Sequence, residues 1–291
     1  MADIADTLRQ RVQTLMPELE IENFEINQEG LTNDVAIVNR KLVFRFAKTE
    51  TSEKVLADEM NILDLVRSRI GIEIPTPIYR SRDCVIYPFL EGQPFLRETW
   101  LKVERNHQVS TAQQIGQFLY RLHTTETSGT GWEVPRTLAP VTQERWLDIR
   151  QRVREKVYPL LLKHQIQWAE NLFDNILTLP ESFEYHPSLI HGDLAPYHIL
   201  FDGSTHKITG VIDFGVAGIG DPASDLGSLI SSYGESFVTE MQATYPNLNT
   251  LLPRARFYAQ SIELQWVLLG VETGETFWFT AHLGGARDIL S

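Results

Sequence analysis

One cysteine in 291 residues, Cys84, excludes an intrachain disulfide and any zinc site built on several thiolates. Basic residues are outnumbered as well: 26 Lys and Arg against 38 Asp and Glu leave a formal charge of -12. No cationic stripe runs along the chain, so a nucleic-acid partner is not expected, and a cationic small ligand is favoured instead. No stretch reaches about 18 consecutive apolar residues, and "MADIAD" at the start has no basic segment leading into an apolar one. The expectation is a cytoplasmic protein without a membrane partner. Glycine is thin where phosphate-cradling loops carry it: "NQEGLTND" holds only Gly30, and G-x-x-x-x-G-K-[ST] is absent, which excludes a P-loop enzyme. Repeats and low-complexity segments are lacking too.

What is present suffices for a sizeable core, with 43% hydrophobic and 22% charged residues. Residues 34–47, "DVAIVNRKLVFRFA", form two β-rich runs divided by Asn39-Arg40-Lys41, a hairpin pattern. In the second run Leu42, Phe44 and Phe46 share one face while Val43 and Arg45 share the other. The segment "TSEKVLADEMNILDLVRSRI" reads as an amphipathic helix. Glu59 lies four residues after Val55 and four before Leu63, on the apolar stripe, where a carboxylate needs a cation. A short apolar strand, "CVIYPFLEG", then runs into Gly92-Gln93-Pro94, which reads as a linker. A domain boundary is placed there, giving an N-terminal lobe over 1–91 and a C-terminal lobe over 92–291. Beyond it the pattern is helical, with Ser110 as the expected cap of "STAQQIGQFLYRLHT" and a long charged helical segment from about Val141 to Leu179.

The chemistry gathers in "LIHGDLAPYHILFD" and "GVIDFG". Each ends an apolar run in an aspartate followed by a turn, Asp193 and Asp213, twenty residues apart. Two carboxylates on such loops can share a divalent cation or divide base and metal duties. Three histidines, His186, His191 and His198, have spacings and intervening prolines that match no standard zinc pattern.

"HGDLAPYHILFD", "GVIDFG" and "DPASDLG" resemble the catalytic loop, metal loop and following helix of the aminoglycoside phosphotransferase family. That family shares the bilobal fold of protein kinases. The likeness covers nearly the whole chain and is strongest to the 2''-phosphotransferases, through "DEMNIL", "YHPSLIHGDL", "HILFD" and "GVETGETFWF". It implies an α+β fold, with a small N-terminal β-sheet lobe and a larger, mainly helical C-terminal lobe. It also implies a reaction, transfer of the γ-phosphate of ATP or GTP to the hydroxyl of a small alcohol, an aminoglycoside first of all. A macrolide, sugar or amino alcohol is the alternative acceptor, and a non-catalytic nucleotide-binding relative the lesser reading. Residue by residue, Asp193 corresponds to the catalytic aspartate, and His198 and Asp213 to the ligands of Mg²⁺. Arg45 stands where the family usually has a lysine for the α- and β-phosphates, with Glu59 to fix it. Tyr87, Phe89 and Leu90 fall on the nucleotide-binding hinge. Glu272 and Trp278 match acceptor-side positions, and Glu235 lies near enough in sequence to join them. Two departures stand out: histidine at 198 where most kinase-like chains have asparagine, and serines in "LISSYGESFV" where 2''-phosphotransferases tend to carry acids. The second weakens the expected hold on a polycation.

Overall fold

The computed structural model describes residues 4–27, 32–132, 137 and 139–274. Chain contacts divide the protein into two compact units, residues 1–95 with 197–216, and residues 96–196 with 217–291. The first unit is therefore discontinuous, whereas the sequence reading closes it at 91.

In the first unit, five antiparallel strands lie in the order Phe24–Asn27, Asn33–Val38, Leu42–Ala47, Cys84–Pro88, Tyr79–Arg80. The expected hairpin forms its centre, and both Asn39 and Arg40 take positive φ, 56° and 50°, as a turn matched to strand twist requires. Asn39 tolerates this because its side chain is anchored: Oδ1 accepts from the amides of Glu22 and Asn23 at 2.9 and 2.8 Å. Strand alternation then sorts the side chains. Phe44 and Phe46 pack with Ala36, Val38, Cys84 and Ile86 against Leu8 and Val12 of the helix Ile4–Leu15. Cys84 is simply a core residue, and burial raises its thiol to about 12, far from the reactive range. The other face of the sheet carries Arg45 and belongs to the helix Glu50–Val66. That helix starts at Thr49, whose hydroxyl accepts from the Ser52 amide at 3.1 Å.

Gly92-Gln93-Pro94 is not a linker. Gln93–Pro94 pairs with Leu200–Phe201, and the strands Ile199–Asp202 and Lys207–Val211 complete this small sheet. Gly92 sits at φ 142°, and a Cβ there would come within 2.5 Å of Thr209 Oγ1. Glycine is thus placed for close packing under a strand rather than for flexibility.

The second unit is mainly helical. Arg105–His123 begins after Glu104, not at Ser110. Thr111 donates its hydroxyl to His107 O at 2.8 Å, one turn back, so the helix is already under way when it reaches Ser110. The charged stretch forms two helices, Gln143–Lys156 and Lys163–Leu177, broken by a 3₁₀ turn at Tyr158–Leu160 that carries Pro159. Helix Ala223–Tyr233 crosses Leu252–Thr273 closely at Gly227, where a Cβ would lie 2.6 Å from Tyr258 Cβ and 3.1 Å from Ala255 O. Gly227→Ala is therefore expected to cost about 1–3 kcal/mol through overpacking, read as a lowered midpoint of urea unfolding. Among the described residues no helix is long and apolar enough to cross a membrane.

Candidate functional site

The first unit gathers charge around Arg45. Strand pairing puts Arg45 opposite Val85 and Val35, on the face turned away from the phenylalanine core. Helical spacing brings Glu59 to meet it: Arg45 Nη1 donates to Glu59 Oε1 at 2.6 Å. Both are buried, at 6% and 1% exposure, so neither charge is tolerable without the other. Burial raises the Glu59 carboxyl above its ordinary value while Arg45 pulls it back. Burial alone would lower Arg45, but Glu59, Tyr87 and Asp213 outweigh it and hold the guanidinium protonated. Glu59 Oε1 also accepts from the Phe214 amide at 3.2 Å, which ties the helix to the loop bearing Asp213.

Asp213 sits at φ 63°, in the left-handed region that non-glycine residues seldom occupy. Held there, its carboxylate lies 3.5 Å from both Arg45 Nη2 and His198 Nε2 while 46% of the side chain faces solvent. His198 is buried, packed edge-on against Tyr197 with ring centroids 4.5 Å apart. One carboxylate and one imidazole do not make a protein cage, and no group of three or more His, Cys, Asp or Glu able to hold a metal occurs among the described residues. The carboxylate is an oxygen donor of the kind Mg²⁺ takes alongside waters and phosphate oxygens, and the imidazole is a nitrogen donor that it takes less readily. Tyr87, on the same sheet face, is buried, and its hydroxyl is pushed up to about 12 by that burial. Phe89 and Leu90 follow at the strand end, and the Phe89 amide already donates to Lys41 O at 2.8 Å.

The second unit holds Asp193. Strand Ser188–Ile190, paired with Gly218–Gly220, delivers a turn at Gly192, φ 81°, immediately before it. Three hydrogen bonds to one buried carboxylate fix that turn. Asp225 accepts from the His191 amide at 2.8 Å, from the Gly192 amide at 2.7 Å, and faces His123 Nε2 at 3.0 Å. His123 Nδ1 is in turn 2.7 Å from the Tyr245 hydroxyl. Asp225 thus anchors the loop and does not cap its own helix. Asp221 serves the helix start, accepting from the Ala223 amide at 3.0 Å while Arg254 and Tyr258 hold its other oxygen. The Asp193 amide donates to His191 Nδ1 at 3.3 Å, so His191 braces the loop from inside.

Asp193 opens onto a cavity of about 880 Å³, within the size range of small-molecule sites. Trp146, Trp266, Asp148 and Glu272 also line it. Within that lining Glu272 is held by Arg152 and Lys156. Glu235 does not line this cavity. It pairs with Arg256 at 2.6 Å. Trp278 and Gly30 lie outside the described residues. Sequence reasoning missed His123, Asp221 and Arg152, whose partners lie 102, 33 and 120 residues away.

A model of the phosphotransferase enzyme family matches residues 23–258. Viomycin phosphotransferase of Streptomyces vinaceus is 23% identical over 255 residues, covering 82% of this chain and 84% of that protein. Among solved structures, the GDP and kanamycin complex of an APH(2'') enzyme superposes with a TM-score of 0.84 at 25% identity, covering 98% of both chains. The GDP complex of a wild-type aminoglycoside 2'-phosphotransferase gives 0.85 at 26% identity, covering 99% of this chain and 98% of that one.

Proposed function

The chain belongs to the phosphotransferase enzyme family, and from that membership we propose that it moves the γ-phosphate of ATP or GTP to a hydroxyl of an aminoglycoside. The observation that carries the reading is Asp193, on a loop fixed by Asp225, at the wall of a cavity able to hold such a molecule. Asp193 orients the acceptor hydroxyl and takes its proton as the oxygen attacks phosphorus. Arg45, pinned by Glu59, offers its guanidinium to the α- and β-phosphates, a role its forked donors suit. Tyr87, Phe89 and Leu90 border the base. His198 and Asp213 would hold Mg²⁺, which neutralises phosphate charge. The GDP in the two similar structures belongs to those proteins and supports a nucleotide donor here. Glu272 faces the acceptor, and Trp278 joins it on the acceptor side by the sequence likeness, whereas Glu235, paired with Arg256 away from the cavity, is left out of the set.

A second reading, an alcohol of lower positive charge such as a macrolide or amino alcohol, draws on one observation: Glu272 is already bound by two cations. Nucleoside diphosphate release from ATP and from GTP, measured with Mg²⁺ and a panel of aminoglycosides, tests the proposal. Release that depends on an aminoglycoside supports the first reading and identifies the donor. Release that depends only on a macrolide or amino alcohol supports the second.

A further inference from the structure

Among the described residues four carboxylates line the cavity: Glu144, Asp148, Asp193 and Glu272. One guanidinium engages two of them. Arg152, one turn beyond Asp148 on the helix Gln143–Lys156, donates from Nη1 to Asp148 Oδ2 at 3.0 Å. It also grips Glu272 with both edges of a fork, Nε to Oε1 at 3.0 Å and Nη2 to Oε2. Lys156, a further turn along, places Nζ 2.6 Å from Glu272 Oε1. Both Glu272 oxygens therefore have charged donors. The fork is partly withdrawn from water, with side-chain exposures of 38% for Arg152 and 21% for Glu272. Bidentate pairing of this kind is stronger than a single contact between point charges. Elsewhere the wall is neutral or apolar, with Ser224, Ser228, Ile149, Ile262 and Trp266, apart from Arg145, whose guanidinium donates to the carbonyls of Thr137 and Ala139 at 2.9 Å each.

We propose that Arg152 is a specificity-determining residue: by holding Glu272 and Asp148 it withdraws two of the cavity's four carboxylates from ammonium groups and adds a cation that repels them. It sets the site against the most highly charged acceptors and in favour of alcohols with few ammonium groups and an apolar face. The inference rests on the reading that this cavity takes the acceptor. Like-charge juxtaposition and an occupied carboxylate act in the same direction, so removing the arginine relieves both.

The test is a binding titration, followed by tryptophan fluorescence because Trp146 and Trp266 line the cavity, with aminoglycosides of increasing ammonium count. Arg152→Gln is expected to bind the most highly charged ligand about tenfold more tightly than the wild type and the least charged one equally well. Arg152→Lys, which keeps the cation but loses the fork, should fall between the wild type and Arg152→Gln. The double variant Arg152→Gln/Glu272→Gln should lose the gain. Lys156→Gln loosens the same carboxylate from the other side and should shift affinity in the same direction by less, which keeps the test open should Arg152→Gln fold poorly. Identical dependence on ligand charge in wild type and both single neutral variants would overturn the inference, as would a gain that survives removal of Glu272. Diphosphate release run in parallel separates the two readings. A charge-dependent gain in binding with no transfer to any aminoglycoside supports the role of Arg152 and counts against the aminoglycoside proposal alone.

Discussion

Asp193→Asn is expected to lower the transfer rate by about 10²- to 10⁴-fold and to leave nucleotide affinity unchanged. Asparagine has nearly the same volume, and the Asp193 contact that braces the loop runs through the backbone amide to His191, so the loop geometry survives the change. What is lost is the ability to accept a proton and the negative charge that orients the attacking hydroxyl. The charges assigned to the donor, Arg45, Glu59, His198 and Asp213, belong to the other compact unit and remain intact. Single-turnover transfer and equilibrium binding of a fluorescent nucleotide separate the two quantities. Loss of both together would mean that Asp193 supports the fold, and transfer persisting within a few-fold of wild type would remove it from the chemistry.

Asp225→Ala is expected to have the largest effect on stability, about 3–5 kcal/mol, on the order of what removing a buried carboxylate costs when several hydrogen-bond partners are left without an acceptor. The carboxylate is fully buried, and its removal strands two amides and the His123 ring at once. The thermal midpoint should fall by about 10 °C. Activity should fall with it, since the turn preceding Asp193 loses its anchor. The acid limb of stability carries a separate signature. Burial pushes the Asp225 carboxyl up, but the hydrogen bond and charge of His123, with His191, outweigh it and leave the group below its ordinary value. A carboxyl depressed in the folded state contributes stability above its unfolded value, about 3.9, and loses that contribution as pH falls toward the folded one. Wild-type stability should therefore decline below about pH 4 more steeply than that of Asp225→Asn, measured by urea unfolding across that range. Parallel acid limbs would mean that Asp225 is not the ionised partner.

The elements legible in the sequence are those governed by local spacing. Alternation in "LVFRFA" separated Arg45 from the phenylalanines, and the helical period put Glu59 on an apolar stripe, so the buried pair could be foreseen from both ends. The turn at Asn39 was equally local. What escaped the sequence depends on distant partners. Nothing around His123 distinguishes it from a histidine at an exposed helix end, because its role is set by Asp225 and Tyr245. Arg152 reads as one more charge on a highly charged helix, since Glu272 belongs to another element. Gly92 and Pro94 carry the composition of a linker, and only the later strand reveals that Gln93–Pro94 is paired. Ser110 is a good capping residue in a helix that had already begun.

That pairing has a consequence for how the protein is made. The strand Gln93–Pro94 leaves the ribosome about a hundred residues before its partner Leu200–Phe201, and the Phe214 amide that donates to Glu59 Oε1 comes later still. The first unit cannot finish folding while it is the only part synthesised, although domains commonly fold in the order in which they emerge. A fragment ending at Phe95 would expose Arg45 and Glu59 without the loop that reaches them, so full protection of the helix Glu50–Val66 from hydrogen exchange should be acquired only after residue 216 has emerged.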